Sequence, residues 1–458
     1  MPQPQPLSLN PWVAMALELA LLVSLMVGLR LFQLVRPLAP ETSRKLYHIS
    51  GGLTTLTFPW VFSSVWPVVL LAAITIPSLL AVKYIRALRG SVGAVLYRVE
   101  RPSFGEVYFP LSVCLLFALS KGDPLLFSIP ILILALADTV AATIGARYGQ
   151  VKYKAMDGYK SAEGSAAFFI VAFLSVLVPL LVFTSTGGTQ ALVVAVILGL
   201  LVMMSEAIAW RGLDNLFIPL TSFFLLRTLL RLDVPALLLQ LAVTVALSLI
   251  AYVWQRRTTL NGGAIMGAIL GAYMIWTLGG WQWLFVPFVV FMSYTTLLHK
   301  TTFDRERLIN IYAVFSVASA GILWLYLSRP LARPDFFYPF TIAFAAHLPI
   351  IGMVRHKYAV PTVSPVRLLV TNIAKGWLVL AAAYVLFDGP TLAFALHSLA
   401  GLLGLTFATL AFYASQPNLG GYPTDWPRWR REALCAAVGS VAGLAPVVML
   451  AALPAHVL

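Results

Sequence analysis

The residues best suited to chemistry fall in four short segments of a 458-residue chain. The first is Ala137-Asp138-Thr139-Val140-Ala141-Ala142-Thr143-Ile144-Gly145-Ala146-Arg147-Tyr148-Gly149. At helical spacing Asp138, Ala142, Gly145 and Gly149 share one face, which sets a carboxylate above a strip of nearly bare backbone. An acid so placed suits Mg²⁺, which takes one or two carboxylates together with phosphate oxygens. Small-residue helix packing, with Asp138 bonded to a neighbouring helix, is the alternative. The second segment, Lys152 to Ser165, is a basic, glycine-containing loop that runs into an apolar stretch. Lys160 precedes the helix there, Ser161 can cap it, and Glu163 lies in its first turn. Free N–H groups and the partial positive charge of a helix start receive phosphate, and Lys160 adds a full charge. An ordinary basic loop with a capped helix reads the same way.

The third segment is Arg44-Lys45-Leu46-Tyr47-His48-Ile49-Ser50-Gly51-Gly52. Arg44, His48, Gly51 and Gly52 fall on about one helical face, where the histidine can serve as general base on an alcohol or bind phosphate. Cations anchoring a helix start at lipid headgroups are the other reading. The remaining histidines read as isolated span or loop residues. The fourth segment combines Glu206 with Arg211-Gly212-Leu213-Asp214-Asn215 and Pro219. Phosphoryl transfer needs acids for a metal, cations for the phosphates and a positioned nucleophile. The four segments supply each part, with no glycine-rich phosphate loop of the soluble kind.

Those segments sit in a chain that is 60% hydrophobic and 10% charged, with a mean hydropathy of +0.89. Soluble domains carry about 25% charged residues. Apolar stretches of bilayer-spanning length recur throughout, which predicts an all-α, polytopic integral membrane protein of about 16 spans. They fall near 12–34, 46–62, 64–82, 104–120, 125–147, 162–183, 190–209, 214–231, 234–254, 261–279, 283–298, 309–327, 338–354, 367–387, 391–413 and 433–455. The 214–231 span carries Arg227 and Arg231, so a re-entrant or protein-covered segment is expected there. The first span is too long for a removable signal.

The net charge of +14 collects in alternate loops and argues orientation rather than nucleic-acid binding. Arg36, Arg44 and Lys45 form one basic connection; Lys83, Arg86, Arg89, Arg98 and Arg101 form the next. Arg147, Lys152, Lys154 and Lys160 form a third, followed by Arg211. The intervening loops are nearly neutral, so the basic side is expected to be cytosolic and both termini outside; Arg329 and Arg333 break the pattern. Cys114 and Cys435 suggest neither a disulfide framework nor a zinc site.

Eleven of the seventeen acidic residues precede Gln255. The other six, Asp304, Glu306, Asp335, Asp388, Asp425 and Glu432, read as loop or span-flanking residues. This asymmetry divides the chain into a catalytic membrane domain, 1–255, and a non-catalytic accessory membrane domain, 256–458.

Taken together, Arg44-Lys45-x-x-His48, Ala137-Asp138-Thr139 through Gly145 and Gly149, Lys160-Ser161-x-Glu163-Gly164-Ser165, and Glu206 with Leu213-Asp214-Asn215 and Pro219 resemble the polyprenol kinase family. That family includes phytol and dolichol kinases, and the resemblance covers roughly residues 40–230. It implies a CTP-dependent, Mg²⁺-requiring kinase of a long-chain lipid alcohol in a bacterial inner membrane, active at the cytosolic face. Carried onto this chain, Asp138 holds the metal with Glu163 or Asp214, and Arg44, Lys45, Gly145, Lys160, Ser161 and Gly164 surround the phosphates. His48 or Glu206 orients or deprotonates the alcohol, while Thr139 and Asn215 support the site. The second and third motifs are also similar to CTP-using phosphatidate cytidylyltransferases, so CDP-lipid synthesis is the alternative chemistry. A transporter or scaffold is the non-enzymatic one, against which the polar groups cluster at span ends rather than near the midplane.

In the second half, Leu260-Asn261-Gly262-Gly263-Ala264 through Gly280, then Phe285–Lys300, faintly resembles a membrane family containing phytyl-phosphate kinases. That family's acidic motif is missing from Ala345-Ala346-His347-Leu348, which implies a scaffold, a dimerisation surface or a lipid-access wall. Neither the alcohol nor the oligomeric state follows from the sequence.

Overall fold

A computed structural model describes residues 9–36, 39–90, 93–97, 103–156, 158–298 and 309–451. Arg98, Arg101, Asp157, Lys300, Asp304 and Glu306 lie outside the described residues. Among the described residues the protein is all-α apart from one hairpin, and 12 helices there are long and apolar enough to cross a bilayer, as in an integral membrane protein. The chain forms two compact units, Met1–Val245 and Ala246–Leu458.

The first unit begins with α1 (Pro11–Val35), α2 (Pro40–Thr55), α3 (Phe58–Val61), α4 (Val65–Tyr84), α5 (Arg86–Gly90), α6 (Ala94–Tyr97) and α7 (Gly105–Ser120). One long span follows, built from α8 (Pro124–Leu132), a π-helical turn at Ile133–Ala137, and α9 (Asp138–Tyr148). After the hairpin β1 (Lys152–Ala155) and β2 (Gly158–Ser161) come α10 (Ala162–Phe183), α11 (Gly188–Ile208), α12 (Asp214–Leu229) and α13 (Val234–Trp254). The unit boundary falls within α13.

Twelve of the expected spans coincide with long helices, and four are shorter. The expected 46–62 span is two pieces, α2 and α3: Pro59 enters at the start of α3 and has no N–H with which to continue the preceding helix. The expected 104–120 and 214–231 spans are the 16-residue helices α7 and α12. At 1.5 Å per residue each reaches roughly 24 Å, short of a hydrocarbon core of about 30 Å. Left-handed backbone at Lys121 and Gly122 ends α7, and at Arg211 and Gly212 it precedes α12. As its arginines suggested, α12 is partly covered by protein, burying Asn215, Ile218, Ser222, Phe223 and Leu226.

The expected loop at Lys152–Ser161 is an antiparallel hairpin pairing Lys152 with Ser161 and Tyr153 with Lys160.

The second unit continues with α14 (Gly262–Gly279), α15 (Trp281–Leu297), α16 (Ile311–Ser328), α17 (Phe337–Ala345), α18 (His347–Ala359), α19 (Pro365–Asp388), α20 (Leu392–Ser415) and α21 (Trp426–Ala451). The 17-residue α15 is the fourth short helix. A broken span, α17 and α18, runs through its core, where Ile342, Ile350 and Met353 are fully buried.

Three sequence expectations fail in this unit. Glu432 is 0% exposed rather than span-flanking, and it pairs with His347 at 2.8 Å and Arg428 at 3.4 Å. His347 is therefore not isolated. Nor is His397, which meets Asp388 at 2.9 Å. His347 and Glu432 lie on different helices and 85 positions apart, so local composition gives no hint of that pairing.

Candidate active site

The four chemical segments of the first unit converge. Gly52 makes this possible on α2: a Cβ there would stand 2.6 Å from the Cβ of Ala135, so only glycine lets α2 close on the π-helical turn. That contact sets His48 against the backbone of Leu134 and brings Arg44 and Lys45 within electrostatic reach of Asp138. Asp138 also feels the charges of Glu206 at the end of α11 and Asp214 at the start of α12. Lys160, on β2, completes the group by pairing with Glu206 at 2.6 Å and donating to the Glu206 carbonyl. Burial works against the Lys160 ammonium, but the Glu206 carboxylate beside it, with Tyr153 and Asp214, raises the lysine above its ordinary value.

Three cations, Arg44, Lys45 and Lys160, thus surround three acids, Asp138, Glu206 and Asp214. Their engagement differs. Glu206 is tied to Lys160, and Arg44 makes a half-exposed pair with Glu41 at 2.6 Å. Among the described residues, no ion pair engages Asp138, Asp214 or Lys45. His48 packs edge-on against Phe109, with ring centroids 5.3 Å apart, and its Nε2 is buried with no hydrogen-bond partner.

The other sequence candidates have visible local duties. Ser161 caps α10, its Oγ accepting from the Gly164 N–H at 3.1 Å. A Cβ at Gly145 would lie 3.1 Å from that Oγ, and one at Gly164 would lie 3.0 Å from the Ala141 carbonyl. The bare strip on α9 is thus covered by α10. Glu163 accepts from the Val151 N–H at 3.1 Å. Thr139 is buried with its hydroxyl unpartnered. Asn215 is buried, its amide packed on Gly105.

Sequence reasoning missed Glu106. It pairs with Lys83 at 2.7 Å, and Lys83 also donates to the Ser103 carbonyl and lies 4.0 Å over the Phe104 ring. The available signal was an acid in the first turn of an apolar helix, level with a basic loop. Arg44, His48, Glu106 and Asn215 form the polar end of a cavity whose remaining walls are mostly apolar.

The chain is similar to a phytol kinase from Synechocystis sp., 30% identical over 225 residues, which are 48% of this chain and 93% of the relative. The chain belongs to the phytol kinase family. No family model matches it. No solved structure matches it. About half of this phytol kinase family member is accounted for by the relative, nearly all of whose length is matched.

Proposed function

We propose that the protein phosphorylates a prenol-type lipid alcohol with CTP and Mg²⁺, at the cytosolic face of a bacterial inner membrane, through its first unit. Family membership supports kinase chemistry, and the alternation of basic and neutral loops supports the orientation. One observation carries the reading most: three cations and three acids from four separate segments form one electrostatic group, with Asp138, Asp214 and Lys45 outside the ion pairs of the described residues.

The donor set fits a magnesium nucleotide. Among the described residues, no three acid, histidine or cysteine side chains are grouped closely enough to hold a metal ion by themselves. Mg²⁺ commonly needs only one or two carboxylates when phosphates supply the rest, and Asp138 and Asp214 are the available pair. Held by these residues, the ion would offset the negative charge of the nucleotide's phosphates. Lys45 and Arg44 hold the transferring phosphate, while Lys160, fixed by Glu206, holds the nucleotide end. With the His48 ring held at the Leu134 backbone, its bare Nε2 is a proton acceptor. The alcohol oxygen forms a bond to the terminal phosphorus, the bond to the departing nucleoside diphosphate breaks, and the hydroxyl proton passes to Nε2.

Purified protein given CTP, Mg²⁺ and a panel of prenols should yield lipid monophosphate and CDP, read by mass spectrometry. Absence of phosphorylated lipid with every acceptor would overturn the proposal. A CDP-lipid with pyrophosphate would instead mean nucleotidyl transfer.

A further inference from the structure

The cavity beside the charge group is walled chiefly by three helices that each present one face. Arg44, Tyr47, His48, Gly51 and Thr55 come from α2; Val68, Leu71, Ala72, Thr75 and Leu79 come from α4; Glu106, Phe109, Pro110 and Val113 come from α7. Each set follows the three- and four-residue steps of a single helical stripe. Along α4 the lining runs from Leu79 to Val68, roughly 16 Å at 1.5 Å per residue. Charged and amide groups are confined to one end, at Arg44, Glu106 and Asn215, and Phe58 and Val68 stand towards the other.

We infer that this cavity is the channel for the acceptor's hydrocarbon chain, with the hydroxyl at His48 and Glu106 and the chain descending past Ala72 and Val113 towards Phe58 and Val68. The inference rests on the kinase reading and adds the path of the acceptor's chain and the residue that limits its length. Its polarity runs the right way, because the polar end is also where Asp138 and Lys45 gather. Away from the polar end the walls offer only the Thr55 and Thr75 hydroxyls, the former already donating to the Gly52 carbonyl, so a polar group deep on the chain would lose most of its water without replacement. Glu106 acts here as a positioning residue: Lys83 fixes the carboxylate at the rim, where it can orient the hydroxyl towards Nε2 of His48.

Ala72 is the position that sets chain length. It is the smallest side chain on the α4 stripe and lies seven residues from Leu79, about 10 Å below the rim. The experiment compares a ten-carbon with a twenty-carbon prenol in wild type, Ala72→Phe and Val68→Ala. The second variant only trims the deep wall, so it stands if the bulkier one fails to fold. Ala72→Phe should lower kcat/KM for the long acceptor by about tenfold or more relative to the short one. Val68→Ala should shift the same ratio towards the longer chain, and the KM for CTP should stay unchanged in both. Wild type phosphorylating prenols with an unchanged ratio in the folded variants overturns the channel alone. Wild type phosphorylating no alcohol overturns the kinase reading and the channel with it.

Discussion

Both units place ionisable side chains among apolar helices, but they treat them in opposite ways. In the second unit Glu432, His347 and Arg428 are 0–1% exposed and directly paired, and Arg428 stacks 4.1 Å over Trp429. In the first unit Asp138, Asp214 and Lys45 face one another across a group that leaves them without ion pairs. A buried charge with its partner in place is part of the architecture, and removing one member strands the other. A charge held near others but left uncommitted retains its capacity for a ligand. Engagement, not burial alone, separates a structural network from a reactive one.

That contrast breaks most sharply at Asp138. Asp138→Asn should reduce phosphorylation by about 10³-fold while leaving thermal stability in detergent near wild type, since no partner is stranded. Full activity in this variant would remove Asp138 from the metal role. Glu432→Leu should do the reverse: a loss of about 3–5 kcal/mol in stability, with turnover per folded molecule retained. A drop in turnover at unchanged stability would move the second unit into the chemistry. His48→Gln should lower kcat by about 10²-fold with little change in the KM for CTP, because only proton acceptance is lost. An equal effect on the KM would mean that His48 holds phosphate instead. The smallest effect belongs to Gly145→Ala, where a methyl group meets Ser161 Oγ at 3.1 Å: a cost of about 1–3 kcal/mol in stability, visible in thermal melts, and little change in the rate per folded molecule.

Much of this was legible in the sequence. Hydropathy located every long helix, because a segment needs only its own composition to be apolar enough for the bilayer. The four chemical segments were also visible, each concentrating charge and glycine at a span end. Their mutual pairing was not: Lys160 and Glu206 are 46 positions apart, and His347 and Glu432 are 85 apart. Lys83 looked like one more orienting cation because nothing local to it announces Glu106. The glycine strip on α9 was equally ambiguous. A bare helix face suits a phosphate or another helix, and only the position of α10 decides between them.

The π-helical turn at Ile133–Ala137 ends immediately before Asp138. Such a turn takes up one residue more than an α-helical turn would, so against an unbroken α-helix of the same residues it sets everything after it back by about 100° around the axis. Were these residues to wind into a continuous α-helix instead, the span would still cross the bilayer with the same composition. Yet the carboxylate would rotate a quarter-turn or more away from Arg44 and Lys45. The insertion works as the hour hand of this span: a hydropathy plot passes over it, and the direction in which its acid points depends on it.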